Sequence, residues 1–111
     1  MYDKLLISNK VKKTIDYIEK ITKNYPKIEY VIKNNLIDSS YELLELTYKA
    51  NIYQEKIYMK EILVKLRMIE FFTKKSLDKK LINFKKFENI GNHLLEINNM
   101  VNSWILNEKI K

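Results

Sequence analysis

Three cations recur at a spacing of seven residues: Lys60, Arg67 and Lys74. Two helical turns separate each from the next, so a helix puts them on one line. Lys74-Lys75, Lys79-Lys80 and Lys85-Lys86 then follow, and from Lys74 to Lys86 six lysines face a single acid, Asp78. Such a cluster meets phosphates by charge and releases counterions without reading base sequence. Phe84 and Phe87 could stack on bases, although Phe87 also opens an apolar seam. The competing reading is a solvated face in a lysine-rich organism. The chain is crowded with Lys, Asn and Ile and has one Arg, as an A/T-rich genome would produce.

Net charge is +7, which favours an acidic partner such as nucleic acid. Its distribution matters more than its size. Residues 60–86 carry nine Lys/Arg against three acids, and residues 1–33 carry eight Lys against four acids. Residues 34–59 carry two Lys against four acids, and residues 87–111 carry two against three. In the first third, Lys10, Lys12 and Lys13 form a smaller basic group.

Catalytic arrangements do not emerge. His93 is the only imidazole and flanks an apolar seam. A bundle di-iron site needs Glu-x-x-His on two helices, whereas Glu88 and His93 are five apart and no second His exists. Arg67 lies far upstream of His93, unlike the close Arg/His pair of HEPN-type ribonucleases. Ser39, Ser40 and Ser103 have no nearby base, there is no cysteine, and no glycine-rich phosphate loop is present. A non-enzymatic protein is expected, with no catalytic residue, metal or cofactor.

The elements that position these residues are helices. One Gly and one Pro leave little material for tight β-turns. Phe87, Ile90, Leu94, Ile97, Val101 and Trp104 alternate in steps of three and four, the seam of a helix over Phe87–Ile105. A first helix is expected from Leu5 to Asn24, with Val11, Ile15, Ile18, Thr22 and Tyr25 inward and Lys12, Lys13, Lys20 and Lys23 off the stripe. Asn24-Tyr25-Pro26 breaks it. A second helix runs to Ala50, with Ile28, Ile32, Leu36, Leu43, Leu46 and Ala50 inward. After a break at Asn51–Tyr53 a third continues to Lys75 on Ile62, Leu66 and Ile69, and Ser76–Asn83 forms the longest connection. Short connections make neighbours antiparallel, so the expectation is one all-α domain over residues 1–111, an up-down-up-down four-helix bundle. Met1–Val11 lacks a signal-peptide layout and no apolar run reaches the ~18 residues of a membrane span, which points to a cytoplasmic protein.

Two helices carry a second apolar line. On the second helix it is Tyr30, Ile37, Tyr41, Leu44 and Tyr48; on the third it is Ile57, Val64, Met68 and Phe71. Scattered surface hydrophobes are ordinary, but a line over three turns predicts self-association. The acids Asp38, Glu42 and Glu45 form a separate line suited to basic residues of a neighbouring copy.

The string Glu96-Ile97-Asn98-Asn99-Met100-Val101-Asn102-Ser103-Trp104-Ile105 resembles the closing helix of bacterial four-helix-bundle proteins. These include the accessory variability determinant of diversity-generating retroelements and the proteins encoded in 23S ribosomal RNA intervening sequences. Lys65-Leu66-Arg67, Leu43-Leu44-Glu45-Leu46 and Tyr25-Pro26-Lys27 fall where that superfamily has similar strings. Asn98, Asn102 and Ser103 stand where it has glycines or small residues. Asn99 replaces a basic residue, and Phe71 stands where a second arginine commonly follows the first. The resemblance implies a homopentamer that binds a retroelement reverse transcriptase and its RNA or DNA, with the polymerase performing the chemistry. The alternative is a helical scaffold of the intervening-sequence type, which binds protein rather than nucleic acid.

Overall fold

The computed structural model describes residues 4–107, with side chains from Leu6 onward. The charges of Glu108, Lys109 and Lys111 lie outside the described residues. Four helices follow one another: α1 Lys4–Thr22, α2 Tyr30–Tyr53, α3 Lys56–Asp78 and α4 Phe84–Asn107, with a 3-10 turn at Lys27–Glu29 before α2. Each helix packs on its sequence neighbours, and α1 closes the ring against α4. This is the antiparallel up-down-up-down bundle, all α, about 48 Å long and 22 by 19 Å across.

Each break has a local cause. Pro26 holds φ −56° and ψ 146°, ending α1 and opening the 3-10 turn, where the Glu29 N–H donates to the Pro26 carbonyl at 2.9 Å. α2 outlasts the expected break: Asn51–Tyr53 stay helical, and the stop is Gln54, left-handed at φ 55°, whose N–H donates to Ala50 O at 3.0 Å. α3 also runs three residues further than expected, to Asp78. It ends in a Schellman motif: the Leu81 N–H donates to Ser76 O at 2.8 Å and the Lys80 N–H to Leu77 O at 2.9 Å. Lys80 occupies the left-handed position at φ 62°. α4 starts at Phe84, three residues before its seam, because Asn83 caps it: the Asn83 Oδ1 accepts from the Lys86 N–H at 2.9 Å.

The core is a continuous column. Val11, Ile15, Ile18 and Tyr25 from α1 and its end meet Ile32, Leu36, Leu43 and Ala50 of α2. Met59, Ile62, Leu66 and Ile69 of α3 and Ile90, Leu94, Ile97, Val101 and Trp104 of α4 complete it. Phe87 and Leu46 are half-buried at its margin, and Ile28 is 84% exposed rather than inward. Ile28 lies in the 3-10 turn, whose pitch of three residues per turn does not continue the phase of α2.

Hydroxyls occupy several inward positions, of which the spacing points to Thr22 alone. Thr22, Thr47 and Thr73 donate to the carbonyls four residues back at 2.8, 2.9 and 2.7 Å, Ser76 does so at 3.0 Å, and Ser40 reaches Ile37 O at 2.7 Å. These bonds let small polar side chains sit in the seam without leaving a buried donor unmet.

Candidate nucleic-acid interface

The up-down course brings the α1–α2 and α3–α4 connections to the same end of the bundle. A cross-link fixes them together: Lys79 Nζ lies 3.2 Å from Glu29 Oε1 of the 3-10 turn. Lys60, Arg67 and Lys74 are exposed along α3 and lead toward this end, which Lys75, Lys79, Lys80, Lys85 and Lys86 populate. Lys74 and Lys75 belong to α3 itself and not to the connection.

Part of this charge is already partnered. Arg67 Nη1 is 2.7 Å from Glu70, Lys74 Nζ is 2.7 Å from Asp78, and Lys75 sits over the Phe71 ring at 5.7 Å. Exposed pairs of this kind contribute ~0–1 kcal/mol each and exchange readily for a stronger anion. Lys80, Lys85 and Lys86 have no ion pair among the described residues.

These three lysines are placed against local folding preferences. Lys80 takes a left-handed backbone that Gly or Asn fills at lower cost. Lys85 and Lys86 occupy the first turn of α4, after the Asn83 cap, where the helix dipole favours anions. Codon bias toward A and T supplies Asn as freely as Lys, so it does not by itself account for Lys80.

Sequence spacing missed two cations at this end. Lys23 and Lys27 flank the Pro26 break and are exposed. The only signal for them was topology, since an up-down bundle must gather its first and third connections. The other basic group divides: Lys10 is half-buried and pairs with Glu96 of α4 at 2.9 Å, while Lys12 and Lys13 are exposed along α1.

The second apolar lines lie on different faces. Ile57, Val64, Met68 and Phe71 are all exposed on α3. On α2, Tyr30, Tyr41 and Tyr48 are exposed, but Ile37 and Leu44 are half-buried against the bundle's own core. The Tyr41 hydroxyl donates to Glu19 Oε2 at 2.6 Å, which puts that line on the flank beside α1. Between α2 and α3 runs a shallow groove lined by Glu42, Glu45, Leu46, Lys49, Glu61, Val64 and Lys65. Two of its three acids find partners within the chain: Glu42 pairs with Lys65 at 3.2 Å and Glu45 with Lys49 at 3.4 Å.

A family model for bAvd-like proteins, the bacterial accessory variability determinants, matches residues 5–108, nearly the whole bundle. The chain belongs to the bAvd-like family. No curated protein matches it at a significant level. Membership makes it an accessory determinant of the diversity-generating retroelement type. In this bAvd-like chain Phe71, standing where a second arginine is common in the resemblance, is exposed beside Lys75 rather than packed inward. Asn102 and Ser103 face outward from α4, and Asn98 is half-buried.

His93 stacks on Tyr17 of α1, ring centroids 5.3 Å apart, and Asn89 donates to the Tyr17 hydroxyl at 3.2 Å. Burial, then the nearby Lys10 charge, hold the His93 pKa below its ordinary value, partly opposed by Glu96. Glu96 is itself lowered by its hydrogen bond from Lys10. His93 thus joins two helices at the α1–α4 seam, where burial disfavours its charged form. Burial pushes the Tyr25 phenol up, partly opposed by the facing Ser76; the Ser76 hydroxyl donates to Phe72 O, and the Tyr25 hydroxyl finds no hydrogen bond of good geometry among the described residues. Among the described residues no group of three or more His, Cys, Asp or Glu is placed to hold a metal ion. No described helix is long and apolar enough to cross a membrane.

Proposed function

We propose that this protein is a non-enzymatic, cytoplasmic accessory subunit of a diversity-generating retroelement reverse transcriptase. It binds RNA or DNA and the polymerase through the basic surface of Lys60, Arg67, Lys74, Lys75, Lys79, Lys80, Lys85 and Lys86, and the polymerase performs the chemistry. The observation that carries this reading is the exposed set Lys80, Lys85 and Lys86, without an ion pair among the described residues, on a bAvd-like bundle where backbone geometry and the helix dipole disfavour lysine. Its apolar lines on α2 and α3 support assembly into a homo-oligomer, a pentamer by resemblance, in which modest phosphate contacts add at high effective concentration.

Replacing Lys79, Lys80, Lys85 and Lys86 with Glu tests the reading. Binding of RNA and DNA, steeply salt-dependent in the native protein, should be abolished while circular dichroism stays helical. Unchanged affinity would make the lysines a solvated face. The ion pairs at Arg67, Lys74 and Lys79 favour that second reading, a helical scaffold whose partner is another protein.

A further inference from the structure

We propose that the end of the bundle capped by the α1–α2 and α3–α4 connections takes a single-stranded stretch of nucleic acid. Phosphates meet Lys23 and Lys27 as well as the lysines of the second connection, and a base stacks on Phe84. This rests on the nucleic-acid function proposed for the protein and narrows it to a place and a strand state.

The placement follows from the fold. The two connections are fifty residues apart in sequence, yet Lys79 and Glu29 join them at 3.2 Å. The acids of the two connections are occupied, Glu29 by Lys79 and Asp78 by Lys74, and Glu88, one turn along α4 from Phe84, is the exposed acid beside them. Lys23, Lys27, Lys80, Lys85 and Lys86 stay exposed around them. The end measures no more than about 22 by 19 Å, so these cations crowd a footprint that a few nucleotides span.

Phe84 decides the strand state. It is the first residue of α4 and 62% exposed, although the Asn83 cap and the seam behind it leave room for a polar residue at that position. Its ring leans on Phe87 at 6.0 Å with an interplanar angle of 36°, which holds it in place rather than burying it. In a duplex the base faces are hidden in the stack, and such a ring would meet only sugar and phosphate. A single strand offers open base faces, and a ring set among cations is the arrangement that captures them without reading sequence. Ile28, on the facing connection, adds a second exposed apolar side chain for the bases.

The test is fluorescence anisotropy on the full chain with two probes, a 12-nucleotide oligouridylate and a 12-base-pair RNA duplex. Phe84→Ala should weaken oligouridylate binding about fivefold or more with an unchanged salt slope, while Phe84→Trp keeps or tightens it. Lys23→Gln with Lys27→Gln should lower the single-strand salt slope by about 1.4, some 0.7 for each phosphate no longer neutralised. Neither change should selectively weaken the duplex. If the native protein binds the probes but all three variants match it, the nucleic-acid reading stands and this inference is overturned. Equal losses on strand and duplex would overturn the single-strand assignment. A native protein that binds neither probe would remove the broader reading and this one with it. Circular dichroism of each variant separates loss of binding from loss of fold, and the Trp variant keeps the test decisive if the Ala variant frays.

Discussion

Lys80 links stability and binding in one residue, and its replacement should move the two in opposite directions. It sits at φ 62° after α3, with its N–H bonded to Leu77 O and the next N–H to Ser76 O. A side chain in this conformation costs roughly 1–2 kcal/mol, and glycine removes the cost. Glycine also gives the unfolded chain more freedom, worth about 0.4–1 kcal/mol, so Lys80→Gly should stabilise by about 0.5–1 kcal/mol net. That corresponds to a rise in Tm of ~2–4 °C for a chain of this size. A second contribution must be separated, since removing a cation beside Lys79 also relieves repulsion. Lys80→Gln keeps the backbone penalty and removes the charge, so Gly minus Gln isolates the backbone. In 1 M salt the charge contribution fades, with a screening length of about 3 Å, and the backbone contribution persists. Urea melts at one protein concentration measure both. Both variants should also lower the salt slope of nucleic-acid binding by about 0.7–0.9, the equivalent of one phosphate each. A Gly variant no more stable than the Gln variant would refute the left-handed-strain argument. An unchanged slope in both would leave Lys80 without a functional reason for its position.

Two further outcomes are expected. Met68→Glu with Phe71→Glu should dissociate the assembly and leave the helices intact, because both side chains are exposed on the outer face of α3; light scattering showing a native monomer at micromolar concentration would remove the idea. His93 is held below its ordinary pKa by burial and Lys10, so the unfolded chain binds the proton more readily. Stability should therefore fall as pH drops through about 6.5, the unfolded value, and level off below the depressed folded value. His93→Gln should remove that slope, and identical pH profiles for the two proteins would refute the assignment.

The parts of the fold that periodicity reveals are those where apolar residues alone fill the seam. α4 is the clearest case: Ile90, Leu94, Ile97, Val101 and Trp104 all lie inward as spaced. α1 is legible from Val11 through Ile15 to Ile18, although Ser8, Thr14 and Thr22 are buried among its apolar residues. α2 is harder, because Ser39, Ser40 and Thr47 are buried on backbone hydrogen bonds or by packing and carry no apolar signal. Helix ends were displaced for a different reason. Gln54 and Lys80 stop helices in a left-handed backbone that their residue types do not advertise. At the candidate site, the lysines of α3 and α4 were legible as a run. The Lys79–Glu29 cross-link was not, since it depends on two connections fifty residues apart meeting in space. Lys23 and Lys27 were hidden by the same cause.

The chain separates its two surfaces by geometry. Apolar side chains line the flanks of α2 and α3, while Lys23, Lys27, Lys80, Lys85 and Lys86 are exposed at one end of the bundle. The two flanks differ in position and composition, so pairing the α2 flank of one copy with the α3 flank of the next is a heterologous contact, which closes into a ring when the rotation permits. With the flanks running along the bundle, a ring about an axis roughly parallel to it turns every basic end the same way. A two-fold contact through a single flank, with its axis across the bundle, would send the ends in opposite directions. The first arrangement places several copies of the Lys80–Lys86 cluster within reach of one strand, and the second does not. Dissociation by Met68→Glu and Phe71→Glu should then weaken binding of a long RNA far more than binding of a four-nucleotide probe, which covers one end only. Equal weakening of both would mean that each bundle end acts alone, and the ring would have no part in binding.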